Sequence, residues 1–256
     1  MRIQMNEQSE GKSIFSARPP SPSRLADGVS DAIAAALFDG RIAPGEPLPA
    51  EGEIAREFGV SKPIAREALR QLTAAGLIFT QQGKVARAKA LTGEPMDKIY
   101  GYAVRSSLKR LREANEMRRV IETGIARLAS ERRDGAGLEM MRQGLSDMMT
   151  SVKHPSGFTA ADILFHLGLA VATGNGMIRV HMESMRSVQR EVSELFSRRA
   201  NRTDADWRAT ITRHQAIYDA VAAGDAALAE QMIRQHFDAA DIASLEVADK
   251  LTGAGQ

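Results

Sequence analysis

The sequence contains no cysteine among its 256 residues. This absence excludes disulfide bonds and thiolate metal sites, so any bound metal must use nitrogen and oxygen ligands. No segment approaches the length of about 18 consecutive apolar residues that a membrane-spanning helix needs. The N-terminal stretch MRIQMNEQSEGKS also lacks the apolar core of a signal peptide. Together these absences predict a cytoplasmic protein with no membrane partner.

The charge of the chain is unevenly distributed. Apolar residues make up 43% and charged residues 26%, which is typical of a soluble globular protein, and the length favours two domains. The net charge is only +2, but residues 1–90 carry 12 Lys and Arg against 10 Asp and Glu, whereas the remainder carries 22 of each. Between residues 60 and 90 six basic residues accompany a single acidic one. A local excess of this kind favours contact with nucleic acid, although a short charge run is more often a solvated surface.

The N-terminal third shows a flexible arm followed by three short helices. Residues 1–23 are polar and contain three prolines, which predicts a flexible arm. The pattern RLADGVSDAIAAALFDG then predicts an amphipathic helix. In AEGEIAREFGVSKPIAREALRQLTAAG we predict two helices joined by a turn at Gly59, with Ser61 as the N-cap of the second helix and Phe58 among the buried residues.

The second of these two helices carries a row of cations. Lys62, Arg66 and Arg70 are four residues apart and therefore share one helical face, where they suit phosphates or guanine edges. The segment LIFTQQGKVARA follows directly and predicts a small hairpin with Gly83 in its turn. The pattern predicts a winged helix-turn-helix DNA-binding domain over residues 24–90. A helical hairpin with an ordinary basic surface is the alternative.

The chain beyond Leu91 is predicted to be almost entirely helical, without strand-like alternation or glycine-rich phosphate loops. Seven helices are predicted, at residues 96–110, 113–132, 136–152, 158–173, 177–200, 206–223 and 226–245. The predicted fold is therefore mainly α, with an N-terminal winged helix-turn-helix and a C-terminal all-α bundle of about six to seven helices over residues 95–248.

Five histidines occur in the chain, and three of them fall into a pattern with an aspartate. In the apolar stretch DILFH, Asp162 and His166 are four residues apart and project from one helical face. His214 and His236 flank a turn centred on Gly224 and Asp225, and their midpoint is residue 225, so an antiparallel helix pair brings them to nearly the same height, roughly 15 to 17 Å from the loop. Convergence of these four side chains would suit a divalent metal with open coordination positions, whereas a hydrogen-bonded core pair is the alternative for Asp162 and His166.

The stretch LPAEGEIAREFGVSKPIAREALRQLTAAGLIFTQQGK resembles the winged helix of the GntR family of bacterial transcription regulators. The resemblance implies DNA contacts by Lys62 and Arg66 on the recognition helix and by Gly83 at the tip of the wing. The full set of candidate DNA-binding residues is Ser61, Lys62, Arg66, Arg70, Gly83 and Lys84. Two residues depart from the family pattern, because Lys62 and Gly52 stand where the family usually has DNA-contacting arginines.

Residues 95–245 are similar to the FCD-type ligand-binding domain of the FadR branch of this family. Metal-binding members use an Asp-x-x-x-His pair followed by two later histidines, and this chain matches the pattern with Asp162, His166, His214 and His236. The resemblance therefore implies one divalent ion, and nitrogen and oxygen ligands suit Zn, Ni, Mn or Fe.

The same resemblance implies two effector contacts. Arg118, in NEMRRVIETGIARLAS, matches a cavity-facing arginine, and Asn175, in TGNG, matches a position near the cavity. A salt bridge between Arg118 and Glu122 and helix capping by Asn175 are the respective alternatives.

These observations predict a homodimeric, ligand-responsive repressor of a metabolic operon that binds a palindromic operator and a small organic or sugar acid, and that is not an enzyme. The first alternative is a metal-dependent enzyme that acts on a small carboxylic acid and carries an accessory DNA-binding module. The sequence argues against it, because it contains no HExxH motif and no general base at fixed spacing from the four ligands. A helical scaffold that binds DNA constitutively is the second alternative.

Overall fold

The computed structural model describes residues 22–81, 84–198 and 202–240. This part of the chain contains eleven α-helices and two short strands, which confirms the predicted mainly α class. The chain divides into two compact units with the boundary between Ala90 and Leu91. Most of the predicted N-terminal arm lies outside the described residues.

The first unit contains three helices and a β-hairpin. Its elements are α1 (Pro22–Phe38), α2 (Glu51–Glu57), α3 (Lys62–Ala74), β1 (Ile78–Phe79) and β2 (Arg87–Ala88). The helix α1 begins two residues earlier than predicted, at the last residues of the predicted arm.

The turn between α2 and α3 follows the predicted helix-turn-helix pattern. Gly59 has a φ of +64°, in the left-handed region that favours glycine. Ala55 and Ala65 are both buried, and their small side chains allow α2 and α3 to cross closely. The prediction of a buried Phe58 is wrong, since its side chain is 38% exposed. Phe58 is the C-cap residue of α2, and the buried residues of this helix are Ile54 and Ala55.

The hairpin after α3 is short and is extended by a third segment. Ile78 on β1 pairs with Ala88 on β2 in an antiparallel register. On the other side of β2 the backbone N–H of Leu48 donates to the carbonyl of Ala86. The turn residues of the predicted wing, including Gly83, lie outside the described residues.

The second unit consists of helices. They are α4 (Glu94–Arg105), α5 (Leu108–Arg132), α6 (Gly135–Thr150), α7 (Pro155–Val171), α8 (Gly176–Ser184), α9 (Arg186–Ser197), α10 (Asp204–Ala223) and α11 (Ala226–Ala239). In the described part of the chain, none of the helices is long and apolar enough to cross a membrane.

The described residues thus contain eight helices in this unit, one more than predicted. The predicted helix 177–200 is divided at Met185, whose φ of −100° and ψ of 6° depart from helical values. The Met185 side chain is nevertheless completely buried, so the apolar pattern continues through the break and gives no signal of it. The first predicted helix ends earlier than expected because Ser107 adopts an extended conformation as the N-cap of α5.

The helix that carries DILFH lies in the centre of this unit. Glycines let α6 and α7 approach closely, since a Cβ atom on Gly137 would lie 2.0 Å from the backbone nitrogen of Ala172. A Cβ atom on Gly144 would lie 2.9 Å from the backbone nitrogen of Phe165, which is itself fully buried. The helix α7 also contacts α5 and α9. This close packing fixes the position of Asp162 and His166 in the core.

Candidate functional site

The structure brings the four predicted metal ligands together inside the helical unit. Asp162 and His166 lie on α7, His214 on α10 and His236 on α11. One ring nitrogen from each histidine lies within 4.8 Å of the other two. Asp162 Oδ1 is 3.0 Å from His214 Nε2 and 3.8 Å from His166 Nε2. Gly224 ends α10 with a φ of +77° and so permits the turn that sets the two later histidines side by side.

His166 is oriented by a buried carboxylate that the sequence analysis treated only as a salt-bridge partner. Its Nδ1 lies 2.5 Å from Glu122 Oε2, and the other oxygen, Glu122 Oε1, accepts a hydrogen bond from Arg118 Nε at 2.8 Å. Burial raises the pKa of Glu122, but the charges of Arg118 and His166 lower it more, so the net pKa lies below its usual value. Glu122 is therefore a carboxylate that accepts a hydrogen bond from His166 Nδ1, and His166 Nε2 is buried without a hydrogen-bond partner.

His214 is oriented by the backbone of its own helix. Its Nδ1 donates to the carbonyl of Thr210 at 2.8 Å, because a carbonyl oxygen only accepts. The remaining nitrogen, Nε2, faces the Asp162 carboxylate. Burial raises the pKa of Asp162, whereas the hydrogen bond with His214 and the nearby histidines lower it more, so it stays ionised. A cation bound between His214 Nε2 and this carboxylate would stabilise the contact.

His236 completes the cluster with a neutral ring. Burial lowers its pKa far below the usual value, and the charges of His214 and His166 lower it further. Its Nδ1 is buried without a hydrogen-bond partner. Three imidazoles and one carboxylate that converge on one region match the donor set of a divalent metal. Ligand atoms around one ion at about 2.1 Å lie roughly 3 to 4 Å apart, so a small inward movement would close the site.

A cavity of about 210 Å³ adjoins this cluster, and Asp162, His236 and Arg118 are among the residues that line it. Arg118 is 4% exposed, and its Nη2 has no hydrogen-bond partner. The salt bridge to Glu122 is present, yet the same arginine also lies on the cavity wall. Both interpretations of Arg118 from the sequence therefore describe its position.

Asn175 has the capping role that was stated as the alternative to an effector contact. Its side-chain oxygen accepts hydrogen bonds from the backbone of Met177 at 2.9 Å and Ile178 at 3.3 Å, which makes it the N-cap of α8. It is not among the residues that line the cavity. A short Asn-Gly turn before a helix favours capping, and this local role is the one that the structure gives it.

On the first unit, the predicted DNA-binding side chains are exposed on α3 and beside the hairpin. Arg66 is engaged by Glu51 from α2, with Nη2 2.9 Å from Oε2 and Nε 3.1 Å from Oε1. Arg70 pairs with Glu67 at 3.0 Å. Ser61 occupies the N-cap position of α3, but its hydroxyl makes no capping hydrogen bond. Two of the three cations in the predicted row therefore carry a partner that an approaching phosphate would have to compete with.

The basic side chains border two depressions in this surface. Arg66, Arg70 and Lys84 border one between α3 and the hairpin. Lys62 borders the other together with Arg56, whose Nε donates to the carbonyl of Gly52 at 3.3 Å. Arg56 was not predicted from the sequence, because nothing in its spacing relates it to the α3 cations. Arg56 therefore places a guanidinium beside Gly52, the position where the resemblance implies an arginine.

A helix-turn-helix with an exposed basic second helix, followed by a hairpin, defines a winged-helix DNA-binding protein, here joined to an α-helical domain with a buried His and Asp cluster. The family model for bacterial regulatory proteins of the gntR family matches residues 25–87, and the FCD domain model matches residues 113–239. The chain therefore belongs to the GntR family and is a transcription regulator rather than an enzyme.

Similar proteins are regulators as well. The HTH-type transcriptional regulator LutR of Bacillus subtilis is 30% identical over 78% of this chain and 92% of its own length. The galactonate operon transcriptional repressor of Escherichia coli is 30% identical over 76% of this chain and 86% of its own. A solved structure, Streptococcus agalactiae GntR, shares the fold with a TM-score of 0.64 at 21% identity, covering 84% of this chain and 98% of that one.

Proposed function

We propose that this regulator is a homodimeric repressor of a metabolic operon and that it senses a small organic or sugar acid at a metal site in its helical domain. The observation that carries the proposal is the convergence of three ring nitrogens within 4.8 Å beside an ionised Asp162, at the wall of a cavity. The similarity to a galactonate operon repressor supports an acid as the effector, since galactonate is a sugar acid.

Asp162, His166, His214 and His236 would hold the divalent ion. Glu122 and the Thr210 carbonyl fix the tautomers of His166 and His214, which is the role that outer partners play around metal-bound histidines. A bound ion would supply a positive charge that attracts a carboxylate into the cavity.

Arg118 would hold the effector carboxylate from the other side. Its Nε is already occupied by Glu122, which fixes the guanidinium plane, while its buried Nη2 has a proton to donate. A donor buried without a partner is costly, and a carboxylate in the cavity would satisfy it. The side chain also lies over Phe237, with 5.3 Å between its Cζ and the ring centroid.

The winged helix would read a palindromic operator through α3, with Arg66 at base edges and Lys62 at the phosphate backbone. Two-fold symmetric operators match dimers of such motifs. Effector binding and DNA binding are then linked, because an acid that changes operator affinity has its own affinity changed by the same factor.

The experiment that tests the proposal uses the full chain purified without chelators. Its metal content is measured, and the melting temperature is then followed with a panel of hydroxy, keto and sugar acids, with and without EDTA. Stoichiometric metal and a melting temperature raised by an acid only in the metal-loaded protein would support the proposal. Acid binding that EDTA leaves unchanged would contradict the metal-mediated site.

A further inference from the structure

Two further arginines meet at the cavity wall on the N-terminal side of His214. Arg202 Nη2 lies 3.0 Å from Thr210 Oγ1, and Arg213 Nη2 lies 3.2 Å from the same oxygen. Both side chains line the cavity that Asp162 and His236 also line. The two guanidinium groups bring like charges together, and the carboxylate of Asp206, which lines the same cavity and acts on Arg213, offsets part of this positive charge.

The positions of both guanidinium groups are held by packing. Arg202 stacks on Trp207, with 3.8 Å between its Cζ and the ring centroid, and lies 5.4 Å from the Phe158 centroid. Arg213 is half-buried, and its Nε is a buried donor without a hydrogen-bond partner. Planar donors held in place in this way lose little freedom when they bind a carboxylate or phosphate.

The charge around the cavity also favours a doubly charged ligand. Among the described residues, Arg118, Arg202 and Arg213 line the cavity together with Asp162 and Asp206, and Glu122 lies behind Arg118. The three arginines and three carboxylates cancel, so a divalent ion at the histidines would leave an excess of two positive charges. A ligand with two negative charges neutralises this excess, whereas a monocarboxylate leaves half of it.

The pair Arg202 and Arg213 lies a short distance from the histidine cluster. Thr210 receives both arginines through its hydroxyl and receives His214 Nδ1 through its carbonyl, so one residue joins the arginine pair to the histidine cluster. Thr210 and His214 are four residues apart, which corresponds to about 6 Å along α10. The cavity volume of about 210 Å³ equals roughly seven water molecules at about 30 Å³ each. This space suits a short chain with an acidic group at each end.

We infer that the effector is a small acid with two anionic groups, one bound at the metal and Arg118 and the other bound by Arg202 and Arg213. The inference rests on the proposed function, because it takes the first group to be the metal-bound carboxylate. The planar fork of each arginine suits a second carboxylate, and a phosphate would use the same donors.

Calorimetry on the metal-loaded full chain tests the inference with pairs of acids that differ only at the far end. Malate is compared with 2-hydroxybutyrate, and 2-hydroxyglutarate with 2-hydroxypentanoate. Phosphoglycolate tests a phosphate as the second anionic group. In at least one pair the diacid should bind about tenfold more tightly or better, because charged hydrogen bonds are made only by its second group. Tighter binding of phosphoglycolate than of any diacid supports a second anionic group and identifies it as a phosphate.

A variant pair on α10 locates the second group. Arg213→Met should lower the affinity for the preferred dianion about tenfold while leaving the monoacid affinity and the metal content unchanged. The matched control is Arg208→Met, which removes an exposed arginine from the same helix and should change none of these values. The unchanged metal content also shows that the Arg213 variant is folded.

The outcomes separate this inference from the proposed function. Metal-dependent binding with equal affinity for the two acids of every pair, and no preference for phosphoglycolate, overturns the second anionic site alone. A dianion preference that survives Arg213→Met unchanged also overturns it. Failure of the wild-type chain to hold metal or to bind any of these acids overturns both.

Discussion

His166 Nδ1 lies 2.5 Å from Glu122 Oε2, and this hydrogen bond decides which ring nitrogen of His166 faces the other histidines. Glu122 is completely buried and is held in turn by Arg118, which lines the cavity. One carboxylate therefore connects a candidate metal ligand to a candidate effector contact. The contribution of Glu122 can therefore be tested without changing any of the four candidate metal ligands.

We predict that Glu122→Gln lowers the affinity for metal about tenfold to a hundredfold, because the neutral amide supports the His166 tautomer less strongly. Metal affinity is measured by competition with a chromogenic chelator. Glu131→Gln serves as the control, since Glu131 is an exposed partner of Arg127 on the same helix. Equal metal affinity in Glu122→Gln and wild type would remove Glu122 from the account of the site.

Arg66→Ala and Lys62→Ala should both weaken operator binding, but in different ways. Lys62, as a phosphate contact, should lower affinity similarly on all sequences and reduce the salt dependence by about one unit of slope. Arg66 should also relax base preference, because its guanidinium suits a guanine edge. Titrations of operator and random DNA at several salt concentrations distinguish the two effects. Unchanged affinity in both variants would contradict the assignment of α3 as the recognition helix.

Glu51→Gln should change DNA binding through Arg66. Glu51 holds both Nε and Nη2 of Arg66, so it orients the guanidinium and also places a negative charge near the DNA. Its loss should raise the affinity for random DNA and lower the ratio of operator to random affinity. Glu57→Gln is the control, because Glu57 is exposed on the same helix. A ratio that stays at the wild-type value would show that the ion pair has no part in recognition.

Alanine substitutions at Gly137, which packs against the end of α7, and at Gly124, which is exposed on α5, should have opposite effects on stability. Gly137→Ala places a Cβ 2.0 Å from the backbone of Ala172 and should destabilise the protein by about 3 kcal/mol or more. Gly124→Ala, in the middle of α5 with no neighbouring atom within 4 Å, should stabilise it by about 0.5 to 1 kcal/mol. Chemical denaturation measures both values. Equal stability of the two variants would contradict this packing.

The sequence predicted the main features that depend on local periodicity. The spacing of Asp162 and His166 predicted a shared helical face, and the symmetry of His214 and His236 about Asp225 predicted their proximity. Local patterns also predicted the turn at Gly59 and the helices around it.

The features that were missed depend on tertiary structure. Glu122 is 44 residues from His166, and only the packing of α5 against α7 shows that they touch. Arg202 and Arg213 lie at unrelated spacings, and their convergence on Thr210 follows from the geometry at the start of α10. The break at Met185 interrupts an apolar pattern that does not itself change.

The measurement that tests the central claim most directly is elemental analysis of wild-type protein and His214→Ala, each purified without chelators, beside a titration with the acid that wild type binds. The wild type should hold about one divalent ion per chain, because four ligands converge on one position. His214→Ala should lose most of the metal and the acid response while its winged helix still binds DNA. A wild type that holds no stoichiometric metal, even after incubation with Zn or Ni, would show that Asp162 and the three histidines form a hydrogen-bonded core network instead.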